Sequence, residues 1–366
     1  TDKLDADNRS RIFKVENGKT LTLEKLTLKN GNDHKGGGIY AGTGTTVNLD
    51  ILTTIQECKA ADGGAIYNDG GTLTIKGASI IKGNGVTNNG GAFLIKSGSL
   101  HMENNCIVEQ NKAKKGGGIY IMNSGTAKIR YCRASENEAQ DDGGGVYVES
   151  GTLTLKGSTI GGEQFYDGTA SDKKKGNKAK KGGGIYLRGS STRGEMTGGK
   201  VSYNKASEDG GGIFIESSGL FKMNSGEISG NTGKKGGGVG IFGNNSSFEM
   251  TGGTISENSA SKGGGVYVEG FFRMKGDAIV TIPTGADGDI AGKNDVYLFN
   301  DKLITLIGPL TGTRFPARIT PTNYATTTKV LGGSTTLLNS QHEKFKVTPN
   351  GSQQWYVLSN GKLKKR

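Results

Sequence analysis

The chain has 366 residues, of which 65 are Gly, 5 Pro and 3 Cys, and its 46 basic and 34 acidic side chains leave a net charge of +12. Gly without a three-residue period or abundant Pro excludes collagen, three Cys are too few for a disulfide-built scaffold, and no apolar run reaches the roughly 18 residues of a membrane-spanning helix. The basic excess attracts polyanions (acidic polysaccharide, nucleic acid or an anionic membrane surface) without choosing among them.

Residues 1–30 open with two short alternating runs, Leu21-Thr22-Leu23 and Leu26-Thr27-Leu28, that read as the first strands of a stack. A Gly-Gly-Gly or Gly-Gly-Ala triplet followed by an apolar residue then recurs nine times, at Ile39, Ile66, Phe93, Ile119, Val146, Ile185, Ile213, Val239 and Val266. The intervals are 27, 27, 26, 27, 39, 28, 26 and 27 residues, so the long one carries an inserted loop of 12. Each unit holds three strand-like segments. The first is the triplet with its alternating run, as in Ile119-Tyr120-Ile121; the second is of the type Leu153-Thr154-Leu155; the third leads into an Asn, as in Ile255-Ser256-Glu257-Asn258. Alternation marks strands with one buried face, and three per unit close a triangular coil. Propeller blades need about 40–45 residues and helical repeats a 3.6-residue period. What fits is an all-β, right-handed parallel β-helix (solenoid) of about 27 residues per coil. Coils stacked about 4.8 Å apart would make the nine units a rod on the order of 45 Å long.

Several columns follow from aligning the units. Gly at the triplets suits coil corners because it reaches positive φ and admits close backbone approach. Asn111, Asn137, Asn177, Asn204, Asn231 and Asn258 would stack as an amide ladder. Between the inward pairs lies an outward column of Tyr40, Tyr67, Leu94, Tyr120, Tyr147, Tyr186, Phe214, Gly240 and Tyr267. It reads either as an aromatic stack that stabilises neighbouring coils or as a platform for sugar rings or a partner protein. Before the triplets runs Lys35, Asp62, Asn89, Lys115, Asp142, Lys181, Asp209, Lys235 and Lys262, flanked by Lys114, Lys180 and Lys234. Alternating signs suit an ion-pair ladder, and the lysines suit a polyanion-binding edge. Cys106 and Cys132 occupy equivalent places in adjacent units, either within disulfide range or as small buried residues.

The inserted loop, about residues 161–176, carries Phe165 and Tyr166 and the run Lys173-Lys174-Lys175; insertions in solenoids map to exposed loops, so it joins the candidate binding surface. Coils are expected over residues 1–276. Residues 277–366, with all five Pro and the single Trp, are expected to form irregular final coils and a C-terminal cap ending in a mobile basic tail, Lys362 to Arg366.

The Asn-x-Ala then Gly-Gly-[Gly/Ala]-Ile-Tyr pattern, seen in Asn111-Lys112-Ala113 before Gly116-Gly117-Gly118-Ile119-Tyr120, resembles the repeats of polymorphic outer-membrane-protein-like surface proteins over about residues 30–270. The whole chain also resembles Gly-rich β-helix proteins of spirochaetes and host-associated anaerobes, which end in a coil like Asn294-Asp295-Val296-Tyr297-Leu298. The resemblance implies display on a bacterial surface or secretion, as an adhesin or immune-exposed antigen. The partner implied is a host surface or matrix protein, or a glycan. The sequence departs from that family at Val108, Ala134, Val201, Ile228 and Ile255, where Phe is usual, and the terminal Lys-Lys-Arg is not a barrel strand, so any anchor is expected to lie outside this chain.

A polysaccharide lyase or hydrolase is the rival class. It would need carboxylates clustered on one face. Asp141-Asp142 and Glu208-Asp209 are two coils apart with Lys180-Lys181 between them, and His34, His101 and His342 lie in unrelated settings. No catalytic residue, cofactor or metal site is therefore expected, and the candidate surface comprises the aromatic column, the lysine edge and the loop aromatics.

Overall fold

The computed structural model describes residues 2–16, 18–163, 175–285, 290–312 and 315–366. Strands repeat along one axis, each paired in parallel with its equivalent one coil away, through about 12 turns. The glycine-triplet segments form the first ladder, in register from Phe13–Val15 through Ile39–Ala41, Ile119–Ile121, Val146–Glu149, Ile185–Arg188 and Val266–Val268 to Lys346–Val347. The second ladder pairs Thr126–Arg130 with residues 152–156. The third pairs Ile107–Glu109 with Arg133–Ser135. Beside these three runs a shorter fourth ladder of seven strands, from Asn32–Lys35 to Lys205–Ala206, the last four of them in the Asn-x-Ala segments. The small residues Ala113, Ala139, Ala179 and Ala206 are buried there, which lets this wall approach the glycine backbone closely.

The triplets earn their composition twice. Gly116 has φ +62°, a region costly for residues with a Cβ. Its neighbour Gly117 is limited by space instead: a Cβ there would lie 2.5 Å from the Gly144 carbonyl oxygen of the next coil. Inward residues of the three main ladders fill the interior as columns. Ile119, Val146, Ile185 and Ile213 are 0% exposed, as are Val108, Ile160, Val201, Ile228 and Ile255 of the third ladder. The third-ladder positions where Phe was usual are thus aliphatic core. Where one column lacks a side chain, at Gly194, the ring of Phe221 from the next coil occupies the space.

The ladders continue beyond the last triplet through Val296–Leu298, Arg318–Pro321, Ile304–Leu310 and Leu331–Gly332. A short helix, Thr335–Gln341, then packs on the end of the stack, its amide end capped by the Ser334 side chain. The chain closes with an antiparallel hairpin of Trp355–Val357 and Leu363–Lys365. The basic tail is therefore not a loose end: Leu363 is buried and Lys364 and Lys365 belong to that hairpin. Arg318 is buried at this end, donating to the carbonyls of Ile290 and Lys293 at 2.6 and 2.8 Å. The Asp295 carboxylate accepts from the Gly264 and Gly292 amides at 2.8 and 3.0 Å. Together they tie the irregular final coils to the regular ones.

Candidate binding face

The first-ladder register stacks the outward aromatic side chains directly. Ring centroids are 4.9 Å apart for Tyr120 and Tyr147, 4.7 Å for Tyr147 and Tyr186, and 4.9 Å for Tyr186 and Phe214, with planes within 13°. At Gly240 the ring comes from Phe242 in the same coil, 4.6 Å from Phe214 and 5.2 Å from Tyr267. Tyr297 extends the stack by one more ring. Leu94 separates this run from the pair Tyr40 and Tyr67, whose centroids are 5.8 Å apart. Phe242 was invisible to repeat alignment because it sits two residues out of the column.

This column faces away from the core and is nevertheless covered. Tyr67, Tyr120, Tyr147, Tyr186, Phe214 and Tyr267 are each at most 5% exposed, and Tyr40 is half-buried. Part of the cover is the neighbouring charged column. Lys115 lies 5.4 Å from the Tyr147 ring centroid, Lys181 5.5 Å from Phe214, Lys235 5.4 Å from Tyr267 and Lys262 5.3 Å from Tyr297. Each lysine thus reaches over the ring of the following coil, a cation–π arrangement that hides the ring and holds the ammonium at the surface. On the opposite flank the tyrosine hydroxyls donate to carboxylates: Tyr120 to Glu149, Tyr186 to Glu216, Tyr267 to Glu269 at 2.9 Å and Tyr40 to Asp69 at 3.2 Å. Burial pushes Tyr67 up to about 12, and Tyr120, Tyr147, Tyr186 and Tyr267 are also raised, burial first and neighbouring carboxylates second.

The charged edge consists of two columns side by side. The outer one runs Lys114, Asp141, Lys180, Glu208, Lys234, and Lys180 closes on Asp141 at 2.8 Å, holding that carboxyl below its usual range. The inner one runs Lys115, Asp142, Lys181, Asp209, Lys235. Here burial pushes Asp142 and Asp209 upward against the pull of the flanking lysines. The inner lysines spend their reach on the rings. Lys114, Lys180 and Lys234 are exposed, with Lys115, Lys181 and Lys235 partly exposed behind them. Of the sequence-derived candidates, the aromatic side chains and the lysines are therefore adjacent layers of one face, with lysine outermost. Phe165 and Tyr166 lie outside the described residues.

The amide ladder runs inside the corner between the third and fourth ladders. Asn111, Asn137, Asn177, Asn204 and Asn231 each donate from Nδ2 to Oδ1 of the next Asn at 3.0 Å, and each also donates to a backbone carbonyl of the preceding coil. Asn84 and Asn294 extend it at its ends. Cys58 tops the column, its amide donating to Asn84 Oδ1 at 2.9 Å, and burial pushes its thiol up to about 12.

Two clefts flank Glu163 on the third-ladder side. One, of about 390 Å³, is bordered by Cys106, Tyr131, Cys132, Arg133 and Thr159. The other, of about 400 Å³, is bordered by Lys200, Tyr203, Glu227 and Glu257. The acidic pairs Asp141-Asp142 and Glu208-Asp209 stay apart, separated by the coil bearing Lys180 and Lys181. Among the described residues no group of three or more His, Cys, Asp or Glu is placed to hold a metal ion, and no helix is long and apolar enough to cross a membrane.

Residues 11–192 match the family model of the right-handed β-helix region. No curated protein and no solved structure matches the chain.

Proposed function

We propose that this right-handed β-helix is a non-catalytic binding module, secreted or displayed on a bacterial surface, which engages an extended polyanionic glycan through its lysine edge. The observation that supports this most is the layering of the first-ladder face. The aromatic rings are roofed over, so the groups a partner meets are the ammoniums of Lys114, Lys180 and Lys234, alternating with the partly exposed carboxylates of Asp141 and Glu208 and backed by Lys115, Lys181 and Lys235. Lysine rows recur at every second coil, about 9.6 Å at the usual strand spacing. An anionic chain laid along the rod meets a pair of positive charges at each such step, while Lys180 remains shared with Asp141. The net charge of +12 adds a long-range attraction of the same sign.

The test is retention of the purified chain on sulfated polysaccharide at low and high salt, alongside immobilised host matrix proteins. Salt-sensitive retention that is lost in the triple variant Lys114→Glu, Lys180→Glu, Lys234→Glu supports the reading. Retention indifferent to both salt and the triple variant overturns it, and matrix-protein binding alone moves the assignment to a protein partner.

A second reading, a polysaccharide-active enzyme, is favoured by one observation. The cleft between Glu163, Glu227 and Glu257 brings carboxylates to one polar opening beside Lys200, which pairs with Glu227 at 3.7 Å. Paired carboxylates are the minimum for glycoside hydrolysis. Release of reducing or unsaturated sugar that disappears in Glu227→Gln would establish this reading and displace the first.

A further inference from the structure

At the corner between the second and third ladders one column of side chains reads Thr53, Ser79, Cys106, Cys132, Ser158. Its serines hold the turn by donating to local carbonyls, Ser79 to Lys76 at 2.7 Å and Ser158 to Lys156 at 3.2 Å, while Thr53 and Ser158 also reach the preceding coil at Leu23 and Ile129. The two cysteines make the equivalent, weaker contacts, Cys106 Sγ to the Glu103 carbonyl and Cys132 Sγ to that of Arg130, each at 3.1 Å. Serine would do this local task better, because a thiol is the poorer donor. Cysteine replaces it in two successive coils, at positions the register stacks on one another.

We propose that Cys106 and Cys132 are a redox pair that closes to a disulfide linking adjacent coils, the electron acceptor being a small disulfide such as oxidised glutathione. The ladder sets the geometry. Ile107 pairs with Arg133, and the Arg133 amide donates to the Cys106 carbonyl at 2.9 Å, so the two cysteines are immediate stack neighbours. One coil step, about 4.8 Å, falls within the roughly 4.4–6.8 Å that disulfide-bonded Cα atoms span. Both thiols are free and buried, and both cysteines border the 390 Å³ cleft beside Tyr131 and Arg133, the side from which an exchange partner would approach. Each thiol also feels the other: the neighbouring Cys132 holds Cys106 below its usual range, and Cys106 together with burial raises Cys132. In the balanced step the exchanger's S–S bond breaks and the Cys106–Cys132 bond forms. The two protein sulfurs are oxidised, and their hydrogens leave on the two small thiols released.

The experiment is incubation of the folded chain with oxidised glutathione, followed by unfolding, alkylation, intact mass and peptide mapping, with circular dichroism to verify the fold. The expected result is loss of two hydrogens, alkylation of Cys58 alone, and a cross-linked peptide joining Cys106 to Cys132 that reductant separates. Cys106→Ser and Cys132→Ser place in the column the residue already found at positions 79 and 158, so both should fold, and each should abolish the change. Alkylation of all three cysteines after oxidant, a stable glutathione adduct on one of them, or a bridge that includes Cys58 overturns the proposal.

Discussion

Asn137 donates its side-chain amide to Asn177 across a sequence gap of 40 residues at 3.0 Å, the distance that also joins Asn111 to Asn137 across 26. The extra residues of that coil leave the amide ladder unbroken. The ladder, rather than the covalent length of each unit, keeps the coils in register at this corner.

Replacing Asn137 by Ala should therefore be among the most damaging polar substitutions in the chain. It removes the acceptor used by both the Asn111 amide nitrogens and the donor that satisfies the Val108 carbonyl, all of them buried. Orphaned buried groups cost roughly 1–3 kcal/mol each, so a loss of about 3–5 kcal/mol is expected by urea unfolding. Asn137→Asp should cost more, because it puts a charge where Nδ2 now donates to two oxygens.

Gly117 and Gly85 make a matched pair of tests. A Cβ at Gly117 would strike the Gly144 carbonyl oxygen at 2.5 Å and the Glu138 backbone at 2.7 Å, whereas one at Gly85 meets nothing within 4 Å. Gly117→Ala should destabilise by about 1–3 kcal/mol as an overpacked site. Gly85→Ala should be neutral or stabilise by up to about 1 kcal/mol by reducing unfolded-state freedom. Thermal unfolding of the two variants separates steric need from conformational need.

The ring of Phe242 fills the column position that Gly240 leaves empty, and a Cβ at Gly240 would lie 2.6 Å from Phe242 Cε2. Gly240→Tyr alone should destabilise by competing for that space. Combined with Phe242→Ala it should recover most of the loss, because the tyrosine then stands in line with Phe214 and Tyr267. A double-mutant cycle is expected to return a coupling of about 1–2 kcal/mol; additivity would show that the two positions do not share one ring site.

The tyrosine column should make the protein sensitive to alkali. Tyr67 is pushed from an ordinary 10.0 up to about 12, and Tyr120, Tyr147, Tyr186 and Tyr267 move in the same direction. A group raised on folding disfavours its ionised form in the native state. Its contribution to stability is whole below the unfolded pKa near 10 and is lost as pH rises through the folded values. Denaturant midpoints should fall between about pH 10 and 12, with the tyrosinate absorbance of the column appearing together with unfolding, after any from exposed residues such as Tyr131 and Tyr356. In a folded Tyr131→Phe, Tyr356→Phe variant, ionisation of Tyr120, Tyr147, Tyr186 or Tyr267 at pH 10 would contradict the burial of the column.

A period of 27 and its glycine marks carried a great deal. Because alternation within a strand assigns inward and outward faces, and in-register stacking repeats that assignment, the interior columns, the Asn ladder from Asn111 to Asn258 and the neighbouring cysteines were all legible in the sequence. The fourth ladder was less so, since two residues such as Lys112–Ala113 are too short to show a period. Phe242 and Asn294 lie off the regular spacing, and only the fold brings them into line.

Exposure was decided by the tertiary structure. Alternation says which side of its own strand Tyr147 occupies; it is silent on what reaches over that side from elsewhere. Lys115, one coil earlier and at a different corner, covers the ring, and the stacked Tyr120 and Tyr186 close it from both ends. Side-chain orientation is local and periodic, and so is written in the sequence. Solvent access depends on long, rotatable side chains of neighbouring coils, which choose their rotamers only once the coils are stacked.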